Sequence, residues 1–262
     1  SQTIPAFVDI LTPPVADMVL SDTAACPPIN LQYVDQSQGN AAITGWNWDL
    51  GNGNTSNFPN GFSTYTNPGL YTIELVATDA NGCQDTTSRE IEVFGPPQVG
   101  LLASRTLGCV GEQIDFQDIS IGAAPVVYWE WDFGDGNTSL DPQPNHTYTQ
   151  TGTYDVSLTI VDARGCTDSL TLPQYIEITQ PQADFGLAGA PACPSVVVSF
   201  LDLSNADSLI FGWQWDFGDG NTGVGPQPQH TYNSPGLYDV QLIINDALGC
   251  TDTLVRTQEV EI

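Results

Sequence analysis

From Tyr154 to Ile160 the chain reads YDVSLTI, with polar and apolar residues alternating at period two. That period places every second side chain on one face and predicts a strand with one face buried. The run ends in Asp162-Ala163-Arg164-Gly165, a turn sequence, and a further strand runs toward Tyr175-Ile176-Glu177-Ile178. Earlier, Gln113 to Asp118 and Val127 to Phe133 predict two more strands. In the second, Trp129 and Trp131 lie two apart and share a face, which the pattern assigns to the core. No amphipathic stretch of useful length has the 3.6-residue period of a helix.

The same pattern returns along the chain. Trp48, Trp131 and Trp215 are separated by 83 and 84 residues, and the same steps relate Cys26, Cys109 and Cys193; Cys83, Cys166 and Cys250; and Tyr71, Tyr154 and Tyr238. The text around the tryptophans reads GWNWDLGNGNT, YWEWDFGDGNT and GWQWDFGDGNT. Later come GLYTIELVATDANGC, GTYDVSLTIVDARGC and GLYDVQLIINDALGC. Such a repeat is one structural unit copied in tandem. The predicted units are residues 13–95, 96–179 and 180–262, meeting at Gly95-Pro96-Pro97 and at Thr179-Gln180-Pro181-Gln182. Strands at regular intervals with turns between them predict an all-β protein of tandem immunoglobulin-like sandwiches. Short proline-bearing linkers are stiff, so the predicted arrangement is a semi-rigid rod. Residues 1–12 match the end of a unit and are expected to be the last strand of a preceding repeat; the alternative is an exchanged strand that completes a neighbouring chain.

Charge narrows the function classes. Thirty-one acidic residues face four arginines, no lysine is present, and the net charge is −27. Binding phosphates needs Lys or Arg to displace counterions, which excludes nucleic acid as a partner. Anionic membrane surfaces are disfavoured for the same reason, and no apolar run reaches the length of a spanning helix. Ser1 to Ile10 lack the basic start and cleavage site of a signal peptide, so if the protein is secreted its signal has been removed or lies outside this segment. Six regularly spaced cysteines suit an oxidising, extracellular compartment.

Candidate chemistry is sparse. The DFGDG loop offers Asp132, Asp135, Asp216 and Asp219 as calcium candidates, but their spacing of three departs from the alternating pattern of a calcium loop. A tight turn with glycines at positive φ is the preferred reading, with calcium the only cation retained as a candidate and no other cofactor expected. His146 and His230 recur at equivalent positions where the first unit has Ser63, and neither has a repeating nucleophile or acid partner. The cysteines are isolated rather than paired as C-x-x-C, which speaks against zinc. No catalytic residue is assigned, and the chain is expected not to be an enzyme.

At WDFGDG, residues 131–136 and 215–220, the sequence resembles the PKD domain, and His146-Thr147-Tyr148, His230-Thr231-Tyr232 and Gly152-Thr153-Tyr154 continue that resemblance. The first unit departs from it, with Leu50 and Asn52 in place of Phe and the second Asp, and Ser63 in place of His. With its cysteines, the chain resembles the repeats of large cell-surface proteins of the Bacteroidota, many exported by type IX secretion and some serving as gliding or attachment adhesins. That resemblance implies a secreted, cell-surface stalk or filament. Its partners would be neighbouring repeats of the same long chain, with a surface anchor or polysaccharide at its ends. PKD domains also accompany secreted proteases and glycan-degrading enzymes, so the alternative is an accessory substrate-binding array. The resemblance further implies O-glycans at Asp-Ser/Thr triplets, with Thr86, Ser169, Thr253, Thr23 and Ser208 as candidates.

The family's strand order also bears on the cysteines. Within one sandwich it places Cys26 before the second strand and Cys83 after the sixth, at opposite ends. It thus implies Cys26–Cys166 and Cys109–Cys250 bonds between units, with Cys83 and Cys193 pairing to neighbouring repeats. The equal spacing of 57 residues leaves open the pairs Cys26–Cys83, Cys109–Cys166 and Cys193–Cys250.

Overall fold

The computed structural model describes residues 12–188 and 196–262, and every regular element among them is a strand. The expectation for residues 1–12 falls, except for Thr12, outside the described residues, as does Cys193. Contacts divide the chain into two compact units. One ends at Gly100 and takes in Ile119–Trp129 and Thr159–Ser169; the other comprises Leu101–Asp118, Glu130–Leu158 and Leu170–Ile262.

In the first unit, Met18–Leu20, Ile29–Asp35 and Asn60–Tyr65 form a three-stranded antiparallel sheet in that order. A second sheet runs in the order Ala24–Ala25, Gln84–Val93, Gly69–Asp79, Ile43–Asp49 and Thr55–Ser56. Its long strands pair antiparallel, but the two-residue edge strand pairs parallel, Ala24 with Glu92 and Ala25 with Val93. The period-two pattern decides what fills the space between the sheets. Ile73, Leu75 and Ala77 are fully buried and alternate with solvent-facing residues. Ile73 and Leu75 join Met18, Leu31, Trp48 and Tyr65 in one core drawn from both sheets. Burying a side chain of this size is worth about 1.5–3 kcal/mol.

The second unit repeats the plan. Phe185–Ala188, Val196–Asp202 and Gln229–Tyr232 make the three-stranded sheet, and Thr222–Val224, Ile210–Asp216, Leu237–Asp246 and Thr251–Glu261 make its partner. Phe185, Phe200, Trp215, Tyr232, Val240, Leu242 and Ile244 build the core. In the middle repeat the three-stranded sheet is Asn145–Thr147, Gln113–Asp118 and Leu101–Ala103. The five-stranded sheet is Leu107–Cys109, Thr167–Thr179, Gly152–Asp162, Val126–Asp132 and Thr138–Ser139. Its short edge strand is again parallel, with Cys109 opposite Thr179. The chain is therefore all-β, a tandem series of immunoglobulin-like sandwiches.

The paired tryptophans divide their work. Trp48, Trp131 and Trp215 are buried, and each indole Nε1 donates to a carbonyl ten residues on, at Phe58, Asp141 and Gly225, over 2.9–3.0 Å. Trp46, Trp129 and Trp213 lie on the same face but are only half-buried, at the margin of the core.

Candidate functional site

The DFGDG loop is a turn closed by its own side chains. Asp132 Oδ1 accepts the Gly134 N–H at 2.9 Å, and Asp135 Oδ1 accepts the Asn137 N–H at 3.0 Å. Asp216 and Asp219 repeat both contacts with Gly218 and Asn221. Gly134 and Gly218 have φ of 81° and 80°, and a Cβ there would stand 2.3 Å from the carbonyl oxygen of Asp155 or Asp239. Only glycine satisfies both the left-handed backbone and that close approach.

The second carboxylate oxygen of Asp135 meets His146 Nε2 at 2.8 Å, and Asp219 meets His230 in the same way. Each imidazole stacks on the preceding phenylalanine ring, His146 on Phe133 and His230 on Phe217, with centroids 4.3 Å apart. The ring is thus wedged between a carboxylate and the core. Tyr148 and Tyr232 donate their buried hydroxyls to the carbonyls of Phe133 and Phe217 at 3.0 Å, and burial pushes both phenols well above their ordinary pKa. The first repeat keeps the tie with different chemistry: Asn52 Nδ2 donates to Ser63 Oγ at 3.0 Å. Among the described residues no three acidic, histidine or cysteine side chains gather as a metal ion requires. Both oxygens of Asp135 and of Asp219 are already engaged by N–H groups and the imidazole.

This arrangement, built in two of the three repeats, predicts an acid response from its aspartates. Burial pushes the Asp135 and Asp219 carboxyls up, but hydrogen bonds from His146, His230, Asn137 and Asn221 outweigh it and hold both below the ordinary Asp value. A carboxyl with a lowered folded-state pKa contributes stability above the unfolded value, about 3.9, and loses it as pH falls through the folded value. Thermal melts between pH 5 and about pH 2 are expected to show a fall that is shallower in Asp135→Asn/Asp219→Asn. Equal slopes in the two proteins would refute the assignment.

The cysteine hairpins are the second recurrent device. Each long strand of the alternating pattern ends in a buried aspartate, Asp79, Asp162 or Asp246, no more than 3% exposed. Its Oδ1 accepts two backbone N–H groups of the following turn, from Asn81 and Cys83, Arg164 and Cys166, or Leu248 and Cys250, over 2.8–3.0 Å. The turn passes through a glycine at positive φ, Gly82, Gly165 or Gly249. The carboxylate therefore fixes where the cysteine sulfur stands. The sequence pattern marks Asp162 only as part of a turn and does not single out Asp79 or Asp246, although their place at the end of a buried face was a signal that they point inward.

Two of the three hairpins carry disulfides from the preceding repeat. Cys26 is bonded to Cys166 and Cys109 to Cys250, with Cα atoms 5.3 and 5.4 Å apart across sequence separations of 140 and 141 residues. The pairs Cys26–Cys83 and Cys109–Cys166 are not formed. The parallel edge strand supplies the reason: it carries the loop cysteine to the end of the repeat's last strand, where Cys109 lies opposite Thr179. Thr179 Oγ1 in turn is 3.6 Å from Cys250 Sγ. At the other junction the Arg164 guanidinium sits 4.5 Å above the Phe94 ring. Cys83 is free and half-buried.

Among the glycan candidates, Thr23, Thr86, Ser169 and Thr253 are exposed. The aspartates that precede the last three accept backbone N–H groups from Ala16, Val99 and Ala183. Ser208 differs, because its Oγ is buried and has no hydrogen-bond partner. An acceptor there would first have to be uncovered.

These features define a class, the tandem immunoglobulin-like module with a tryptophan-centred core. The PKD domain profile matches residues 11–93, 95–178 and 179–262, and the chain belongs to the PKD domain family in three tandem copies. It is 30% identical over 139 residues to the pre-pro-metalloprotease PrtV of Vibrio cholerae, covering 49% of this chain and 14% of that protein. It is 28% identical to human polycystin-1 over 178 residues, 64% of this chain and 4% of the other. With the collagenase ColA of Bacillus cereus it shares 42% identity over 60 residues, 22% of this chain and 6% of that enzyme. The chain thus spans only a small part of each of these relatives. Among solved structures, the PKD1 domain of the V. cholerae metalloprotease PrtV is 30% identical, with a TM-score of 0.29, and covers 31% of this chain and 98% of its own. Among the described residues no helix is long and apolar enough to cross a membrane.

Proposed function

We propose that this chain is a spacer, a stiff segment in the stalk of a secreted cell-surface adhesin or filament that holds a distal binding region away from the cell. The observation that carries the reading is the disulfide from the loop of one repeat to the hairpin of the next, present at both junctions. Covalent closure at a junction removes the hinge freedom that a linker otherwise leaves. Disulfides persist in oxidising compartments, which supports an extracellular location. A net charge of −27 keeps neighbouring stalks soluble and apart. Its partners are neighbouring repeats of the same long chain, with a surface anchor or polysaccharide beyond them. The finer placement among Bacteroidota adhesins exported by type IX secretion rests on the resemblance of the cysteine-bearing repeats.

A second reading, an accessory substrate-binding array, draws on one feature. The first repeat has an open cleft of about 810 Å³ lined by Tyr33, Leu50, Asn57, Phe58, Phe62 and Ser63. Phe58 and Phe62 are 73% and 63% exposed. The two readings part in a sedimentation assay with insoluble collagen and chitin. The spacer is expected to stay in the supernatant with a non-binding control. Retention that disappears in Phe58→Ala/Phe62→Ala would overturn the spacer reading in favour of the array.

A further inference from the structure

The dipeptide Asn-Gly occurs three times in this chain, at Asn52-Gly53, Asn60-Gly61 and Asn81-Gly82, all within the first repeat. In this dipeptide the asparagine amide is open to attack by its own backbone, because glycine sets no Cβ beside the attacking nitrogen. The fold treats the three pairs differently. Gly61 lies inside the strand Asn60–Tyr65, opposite Tyr33 in the ladder, so its backbone is held extended. Gly82 donates its N–H to the Asp79 carbonyl at 3.0 Å, and Asn81 donates its own to Asp79 Oδ1 at 2.8 Å. Gly53 is exposed, and its N–H donates no hydrogen bond among the described residues. A Cβ built there would meet nothing within 4 Å.

The amide next to that free nitrogen is held for reaction. Asn52 Oδ1 accepts the Asn54 N–H at 3.1 Å, which folds the side chain back across the Gly53 nitrogen between them. The same N–H draws charge from the amide carbonyl, as an oxyanion donor does. Nδ2 donates to Ser63 Oγ at 3.0 Å and to the Thr64 carbonyl at 3.2 Å, which fixes the amide in that orientation. We infer that Asn52-Gly53 is a self-modification site, at which the first repeat slowly converts its own neutral turn into an acidic one.

The Gly53 nitrogen gives its proton to hydroxide and attacks Asn52 Cγ. A bond forms between that nitrogen and Cγ, the Cγ–Nδ2 bond breaks, and Nδ2 takes a proton from water and leaves as ammonia. The cyclic imide then adds one water. Opening at Cγ leaves aspartate, and opening at the backbone carbonyl leaves isoaspartate, with the chain running through Cγ. One water is consumed and one ammonia released. The acid lacks the N–H groups that Asn52 gives to Ser63 and Thr64, and it sets a carboxylate against the Thr64 carbonyl oxygen. No histidine stands there to accept the charge, since Ser63 holds that place. The turn also carries Leu50, 2% exposed, whose carbonyl accepts the Tyr65 hydroxyl at 2.6 Å, so the loss reaches the core.

The test incubates the whole oxidised chain at mildly alkaline pH and samples it over time by peptide mapping that separates asparagine, aspartate and isoaspartate. In the folded chain Asn52 is expected to react fastest, with Asn81 about two- to tenfold slower, the factor that one hydrogen bond imposes. In the chain reduced and unfolded in denaturant, the three pairs are expected to react at comparable rates. Gly53→Ala is expected to slow the reaction at Asn52 and leave Asn81 unchanged, with the Cys26–Cys166 bond still formed as the mark of a folded protein. Three results would overturn the proposal: Asn52 unreacted in the folded chain, Asn60 or Asn81 reacting as fast as Asn52 there, or an unslowed reaction at Asn52 in Gly53→Ala. None of them bears on retention by collagen or chitin, so this inference and the spacer reading fail separately.

Discussion

Replacing Trp131 with alanine is expected to cost the middle repeat about 3–5 kcal/mol, as for other large aromatics removed from a core. The indole is fully buried, its ring lies 5.9 Å from Phe116, and its Nε1 holds the carbonyl of Asp141 at 3.0 Å. Truncation leaves both a cavity and a carbonyl without its donor. For a domain of this size, 1 kcal/mol shifts the melting temperature by about 4–8 °C, so a fall of roughly 12–40 °C in one calorimetric transition is expected. Trp131→Phe separates the two causes, since it keeps a ring but leaves the carbonyl unpaired at about 1–3 kcal/mol. A Trp131→Ala protein that melts within a few degrees of the parent would mean that the tryptophan does not organise the sandwich.

The core was legible in the sequence because its signals are periodic. Alternation predicted a strand over Tyr154–Ile160, and the strand runs Gly152–Asp162. The extra residues at its end include Asp162, and a carboxylate counts as polar in any hydrophobic pattern although this one is buried. The same blindness hid the role of Asp79 and Asp246. The edge strands Ala24–Ala25 and Leu107–Cys109 escaped notice because two or three residues cannot establish a period. Yet these strands carry the loop cysteines to the end of the repeat.

The first repeat shows another limit. Asn52 and Ser63 read separately as two departures from the Asp and His of the other repeats. In the structure they are one substitution, because eleven residues of sequence separate two side chains that meet at 3.0 Å. The exchange keeps a tie between the turn and the adjacent strand while removing its charge. A pairwise side-chain contact leaves no trace in spacing or composition, so only coordinates could join the two.

Pulled from its ends, the oxidised chain is expected to lengthen to only about a third of the length that the reduced chain reaches. The two disulfides overlap, since Cys109 lies between Cys26 and Cys166, and Cys166 lies between Cys109 and Cys250. Tension entering at Cys26 crosses to Cys166, returns along the backbone to Cys109 and crosses to Cys250. The segments 26–109 and 166–250 run in parallel with that shorter path and never become taut. At roughly 3.5 Å per residue the fully reduced chain extends to about 900 Å, and the oxidised chain to about 330 Å. Removing either bond alone, by Cys26→Ser or Cys109→Ser, is expected to give about 420 Å. One bond thus provides most of the shortening, and the second protects the repeat that the first leaves exposed to tension. Single-molecule force spectroscopy, with and without reductant, measures these lengths directly. An oxidised chain that unravels to the reduced length would show that the bonds do not carry tension past the repeats.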